Sequence, residues 1–326
     1  MKLSKVLLVL GLVMGLVFTA GNVKAANSMM DNVPGNGAFA YFYASPDCIS
    51  TVISIFNIDD TANWIHIIAK DQDSEHVWDA DVCLTHKGTA VLHVYADDAG
   101  VYIDGIGGEV IDVINNEILY MDANEDGAYM GYLSIVAVTG GDEPTAEECV
   151  APANVGKPVD DDILIVTTAL VMDNWWVGIN GAMVQGLADG DVDDLSGDVG
   201  NTILAGVPCV NLYGRWYDDE NTRGDLVLVF PVGTDACLPE YEIIGYSYDE
   251  MQEKRSFSRD LDEANMIPFG EVLPNVGSGS GWVEIDNTTA SAFGYVIVED
   301  GTHCDALPLF KESTEEGRPC PTCTLP

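Results

Sequence analysis

Apolar residues along the chain fall in short runs separated by clusters of Gly, Asp and Asn. Ser50–Ile58 (STVISIFNI) and Trp64–Ala69 (WIHIIA) are rich in β-branched residues, while His76–Leu84 and Thr89–Tyr95 (TAVLHVY) alternate apolar with polar. Further runs follow at Glu117–Met121, Tyr129–Val138, Ile163–Met172, Trp175–Ile179, Leu226–Val232, Glu242–Tyr248, Gly281–Ile285 and Ala292–Glu299. A period of two sends successive side chains to opposite faces of a strand, and β-branched and aromatic residues fit the half-buried surface of a sheet. Short strands punctuated by turn formers are the pattern of sandwiches and barrels. A helical period is confined to a short stretch around Asp249–Arg255. The fold class predicted is all-β.

The first residues follow a different logic. Lys2 and Lys5 precede Val6–Ala20, a nearly uninterrupted apolar run of 15 residues, and small residues lead to Val23-Lys24-Ala25. This is the layout of a secretory signal. The run is shorter than the roughly 20 residues that cross a bilayer as a helix, so residues 1–25 are expected to be removed, leaving no membrane span. The rest exceeds what one sandwich usually needs. It divides into a β domain over 26–140, an acidic linker over 141–162 and a second β domain over 163–310, followed by a cysteine-containing tail at 311–326. The expected architecture is two β-sandwich-like domains stapled by disulfides.

Charge narrows the choice of partners. The chain holds 53 acidic and 13 basic residues, a formal charge of −40, and losing Lys2, Lys5 and Lys24 with the signal takes it three units lower. Between Lys87 and Arg215 the only base is Lys157. Such a surface repels nucleic acid and anionic headgroups, whose recognition depends on clustered Lys and Arg. It keeps a secreted protein dispersed, suits a salty medium that screens self-repulsion, and attracts cations. All eight cysteines (Cys48, Cys83, Cys149, Cys209, Cys237, Cys304, Cys320 and Cys323) follow the signal, which reads as disulfides in an oxidising compartment. Proximity in sequence suggests Cys48 with Cys83 and Cys209 with Cys237. Cys320-Pro-Thr-Cys323 is not followed by His, so no haem is expected, and a tail disulfide is the simpler reading.

Four stretches carry a resemblance: SEHVWDADVCLT (Ser74–Thr85), GYLSIVAV (Gly131–Val138), DLVLVFPV (Asp225–Val232) and GWVEI (Gly281–Ile285). Their order resembles a family of secreted bacterial β-rich proteins with V-x-D-F-x-V-x-L-S, G-Y-I-E-I-I, D-W-V-V-T-F-P-T and late G-W strands. Leu226 stands where that pattern has Trp, and Val232-Gly233 follows the Pro in place of Thr-Lys. The resemblance implies an exported, two-part β protein and carries over no functional residue.

Among residues with chemistry to offer, Asp122-Ala-Asn124-Glu-Asp126-Gly127 reproduces the first half of a calcium loop. Oxygen ligands stand at positions 1, 3 and 5 and Gly at 6. Leu133 stands where the bidentate Glu would be, and the same residues serve an ordinary hairpin turn, so both readings stay open. Asp189, Asp191 and Asp193, with Asp194 and Asp198, repeat the spacing without the glycine, and are a second calcium candidate or a solvated acidic loop. Asp160-Asp161-Asp162 reads as a charged strand flank. His66, His76, His86 and His93 fall in one window and, with Asp79 and Asp81, offer ligands to a transition metal, although no local metal motif is present. The G-x-S-x-G and H-E-x-x-H signatures are absent. Carboxylate pairs suited to glycoside hydrolysis carry no information among so many acids. Trp175-Trp176 and Trp216-Tyr217 offer a sugar-stacking surface, with one of each pair expected in the core.

The expected function is that of an exported, non-enzymatic cell-surface or extracellular structural protein: a coat, filament subunit or adhesin-like module, stabilised by calcium. It would reside outside the cell, at its surface or in the periplasm. Self-association, other surface proteins and glycans are the expected partners, with GAFAYFYA (Gly37–Ala44) as an exposed strand edge open to a neighbour's sheet. A soluble carbohydrate- or cation-binding module is the first alternative and a secreted hydrolase with a carboxylate site the second. N-terminal sequencing of the exported protein is expected to start at Ala26; a chain that retains Met1 would disprove the signal assignment.

Overall fold

The computed structural model describes residues 33–46, 49–111, 113–124, 127–138, 157–172, 176–187, 211–218, 223–231, 241–249, 251, 253–261, 264–272, 279–286, 292–299 and 304–311. The first strands are β1 (Gly37–Ala44), β2 (Ser50–Asn57), β3 (Asn63–Asp71), β4 (His76–Leu84), β5 (Thr89–Asp97), β6 (Gly100–Gly108), β7 (Glu117–Leu119) and β8 (Tyr129–Val138). There follow β9 (Leu164–Val171), β10 (Trp176–Asn180), β11 (Ala182–Val184), β12 (Leu212–Asp218), β13 (Arg223–Val229), β14 (Tyr241–Asp249), β15 (Lys254–Leu261) and β16 (Ala264–Pro268). A one-turn helix α1 (Phe269–Val272) precedes β17 (Gly279–Asp286), β18 (Phe293–Glu299), β19 (Cys304–Pro308) and β20 (Phe310–Lys311). The described residues are nearly all β, as the period predicts.

These strands form four antiparallel sheets. A six-stranded sheet, β10-β9-β2-β5-β6-β7, faces a five-stranded sheet, β11-β1-β8-β3-β4. A four-stranded sheet, β16-β13-β18-β19, faces a second five-stranded sheet, β15-β14-β17-β12-β20. Residue phase shows how they stack. On β1, Ala38, Ala40, Phe42 and Ala44 pack against the six-stranded sheet, while Phe39 and Tyr41 turn the other way, towards Val227, Val229, Phe293 and Tyr295. On β8, Leu133, Ile135 and Ala137 take the first side and Tyr132, Val136 and Val138 the second. On β13, Val227 and Val229 face back to β1, whereas Leu226 and Leu228 meet Trp216, Val283 and Ile285 of the last sheet. Three cores thus separate four layers, and the two inner sheets are buried on both faces. Such strands lose the polar alternation and read as continuous apolar runs.

Three placements differ from the sequence reading. Gly37–Ala44 is no exposed edge: it pairs with β8 along its length and with β11 over Gly37–Phe39. Past β11 the Thr51 hydroxyl takes over, donating to Tyr43 O at 2.7 Å and accepting from Tyr43 N at 2.9 Å. Second, β9, β10 and β11 lie beyond the expected linker yet belong to the sheets of the first half, because β2 and β1 each have an edge they complete. Third, the described end of that linker is part of the sheet region, with Pro158 bridging Val138. Cys83 on β4 is disulfide-bonded.

Asn36 holds this junction. Its Nδ2 donates to Val159 O at 2.6 Å and to Leu187 O at 2.9 Å, and its Oδ1 accepts from Leu187 N at 2.9 Å. Its own carbonyl accepts from Ala137 N at 2.9 Å. The side chain is fully buried, so removing it takes this partner from three backbone groups, two of them in buried bonds at Leu187. Asn36→Ala is expected to destabilise the protein by about 3–5 kcal/mol, measured by denaturant unfolding; a loss under about 1 kcal/mol would show that water replaces the clamp.

Candidate functional site

The outer face of the last five-stranded sheet is the most distinctive surface of the molecule. In LYGRWYD, Leu212 and Trp216 face the core, which sets Tyr213, Arg215 and Tyr217 outward. On β17, Val283 and Ile285 face in and Trp282 and Glu284 out. Register then assembles two rows. Arg215 lies opposite Trp282, Trp282 opposite Tyr248, and Tyr248 opposite Lys254. Beside them Tyr213 lies opposite Glu284, Glu284 opposite Tyr246, and Tyr246 opposite Ser256. Trp282 is 43% exposed and Tyr217 39%.

The groups are tied to one another. The Arg215 guanidinium stands 5.3 Å from the Trp282 ring centroid, and Lys254 Nζ stands 3.5 Å from that of Tyr246 and 5.6 Å from that of Tyr248. Glu284 accepts from both flanking phenols, Tyr213 Oη at 3.4 Å and Tyr248 Oη at 3.2 Å. A hydrogen bond to Tyr248 and the nearby charges hold the Lys254 pKa above the ordinary lysine value. Two devices keep the platform in shape. Asp249 Oδ1 accepts from Met251 N at 2.8 Å and Glu253 N at 2.9 Å, closing the turn that delivers Lys254. Gly281 lets β17 pass close, since a Cβ there would fall 1.8 Å from Tyr248 O. The result is an aromatic platform rimmed by two cations and carrying one central carboxylate. Such a surface can stack on the C–H face of a flat ligand and hydrogen-bond to its rim.

Of the sugar-stacking pairs, Trp216-Tyr217 divides between core and surface as strand geometry requires. Trp216 is 1% exposed, Tyr217 and Trp176 are exposed, and Trp175 lies outside the described residues. Phasing LYGRWYD, YSYD and GWVEID by their apolar residues would have exposed the aromatic phase on each strand. The pairing of β12, β17, β14 and β15 into one platform has no local signal.

The calcium candidates are only partly covered. Asp122 is exposed. Asn124 Oδ1 accepts from Ala128 N at 2.9 Å, its N donates to Ala128 O at 2.8 Å, and Gly127 has φ +78°, the geometry of an Asx-supported turn. Asp126, Asp189, Asp191 and Asp193 lie outside the described residues. Among the described residues, no group of three or more His, Cys, Asp and Glu is placed to hold a metal.

The four clustered histidines do not share a site. His66 Nδ1 sits 2.7 Å from Asp81 Oδ1, and His76 Nε2 sits 3.3 Å from Asp79 Oδ1. His86 Nδ1 lies 3.1 Å from Asp59 O. His93 belongs to another sheet, where it stacks on Tyr95 at 5.0 Å, and Tyr95 on Tyr102 at 5.6 Å. Tyr95 Oη donates to Asn116 Oδ1, and Asn116 N donates to Asp104 Oδ1 at 3.1 Å. Burial lowers the His93 pKa and Asp104 opposes the shift, while burial first and then Asp104 raise that of Tyr95.

Comparison of the chain with protein-family models, curated proteins and solved structures finds no match.

His93 supplies a pH prediction. With a native pKa below the ordinary value of about 6.5, the unfolded chain binds more protons between the two values. Stability should therefore fall as pH drops through that window. The imidazole is expected to titrate by NMR with a midpoint below about 6.5, and His93→Gln to flatten the stability slope. A midpoint at or above that value would contradict it.

Proposed function

We propose that the chain is an exported, non-catalytic protein of the cell surface or extracellular space that binds glycan on the outer face formed by β12, β17, β14 and β15. The observation that carries this reading is the row Arg215, Trp282, Tyr248 and Lys254, set across four strands. Sugar rings offer apolar C–H faces to aromatic side chains and hydroxyls to Arg, Glu and Tyr. A broad sheet face with exposed rings suits an extended polymer better than a small molecule, which is usually held in a concave pocket. The net charge of −40 disfavours nucleic acid and anionic lipid as occupants. The N-terminal apolar segment and the disulfide at Cys83 support an oxidising compartment. A disulfide framework would staple the layers, with Cys48 as the proposed partner of Cys83.

The test is affinity electrophoresis through gels containing soluble polysaccharides, namely a β-glucan, a mannan, a xylan and a polygalacturonate. Wild-type protein should be retarded by at least one of them. Trp282→Ala with Tyr217→Ala, both at exposed positions, should weaken binding about 10- to 100-fold, since each lost ring contact is worth roughly 0.5–1.5 kcal/mol. The circular dichroism spectrum should not change. Unretarded wild-type protein, or full retardation of the double variant, would overturn the reading.

A further inference from the structure

We propose that the outer face of the six-stranded sheet is a dimer interface that takes the same face of a second copy of this chain. Val52, Phe56, Val91, Ile165, Val171 and Trp176 stand at outward positions on four adjacent, registered strands, β10, β9, β2 and β5. On β6 the outward Ile106 is 39% exposed, as is Trp176 on β10. Charged residues make up 20% of the sequence, yet no Lys or Arg is found at the outward positions of this face among the described residues. The carboxylates in its outward rows are Asp104, whose Oδ1 accepts from Asn116 N, and Asp97 at the end of β5.

Charge selects the occupant. Two copies of a chain with a formal charge of −40 repel wherever acidic surface meets acidic surface, and this charge-poor face is where two copies approach at least cost. An acidic polymer gains nothing here, for want of cations. Size agrees as well. Six strands about 4.8 Å apart and roughly 24 Å long cover about 700 Å² of flat sheet, close to the roughly 800 Å² per partner of a stable interface. Face-to-face stacking is also how this molecule buries every other apolar sheet face it has, and a self-complementary patch closes into a two-fold dimer.

The experiment is sedimentation equilibrium of the exported protein over a wide concentration range, at low and at high NaCl. The dimer is expected at micromolar concentration. Its fraction should rise with salt, because screening relieves repulsion between the acidic copies while leaving apolar contact intact. Ile106→Glu and, separately, Trp176→Arg should each yield monomer with an unchanged melting temperature, both side chains being exposed in the single chain. Glycan retardation should persist in the monomeric variants, because the Arg215–Lys254 row is on the opposite outer sheet, so this proposal and the glycan reading fail independently. A wild-type chain that is monomeric at every concentration and salt, a dimer that dissociates as salt rises, or a dimer untouched by both substitutions would overturn it.

Discussion

Burial of β1, β8 and β13 on both faces is the constraint from which the architecture follows. A strand with two apolar faces needs a layer on each side. Ala38, Ala40 and Phe42 meet one neighbour while Phe39 and Tyr41 meet another, and Phe39 stacks on Phe293 with centroids 6.3 Å apart. The central layer boundary is therefore a hydrophobic core in its own right, joining sheets from the two halves of the chain. Its few polar groups feel that setting. The Tyr41 pKa is pushed up, by burial first and then by Tyr43 and Asp225, and burial also raises that of Tyr295. An ionised phenol there would be a charge without solvent.

With the inner faces reserved for apolar contact, surface chemistry is confined to the two outer sheets, their edges and the loops. The outer sheets have diverged. One gathers Arg215 and Lys254 over aromatic rings in a chain where cations are scarce. Exposed cation–π contacts are worth only about 0.5–1 kcal/mol each, so their larger effect here is to hold rings and charges in a fixed array. The other sheet presents no Lys or Arg on its outer face among the described residues and stacks His93, Tyr95 and Tyr102 along one end. A platform of rings and cations and a face without Lys or Arg thus lie at opposite ends of one stack.

Much of the strand content was legible because burial on one face leaves a period of two. Thr89–Tyr95 lies within β5, where Ala90, Leu92 and Val94 face in. Gly37–Ala44 was legible as a strand but not in its place. Periodicity has nothing to say about a run apolar on both faces, and the same letters describe an aggregation-prone edge and a central strand. Composition marks a boundary in sequence ahead of β9–β11, whereas the edges of β1 and β2 that these strands complete are facts of topology. The platform was visible only in fragments. Trp216 and Tyr217 divided between core and surface as alternation requires, but Arg215, Trp282, Tyr248 and Lys254 meet through pairings that no local window contains.

Asn36 gives the fold a schedule. Its amide grips Leu187, 151 residues later in the chain, and Gly35 pairs with Leu164 in both directions. At the roughly 5–20 residues per second of protein synthesis, the first strand waits on the order of ten seconds for the segment that locks it. During that interval a long apolar strand has no finished sheet to enter. The segment around Leu187 then arrives as the latch on the first strand.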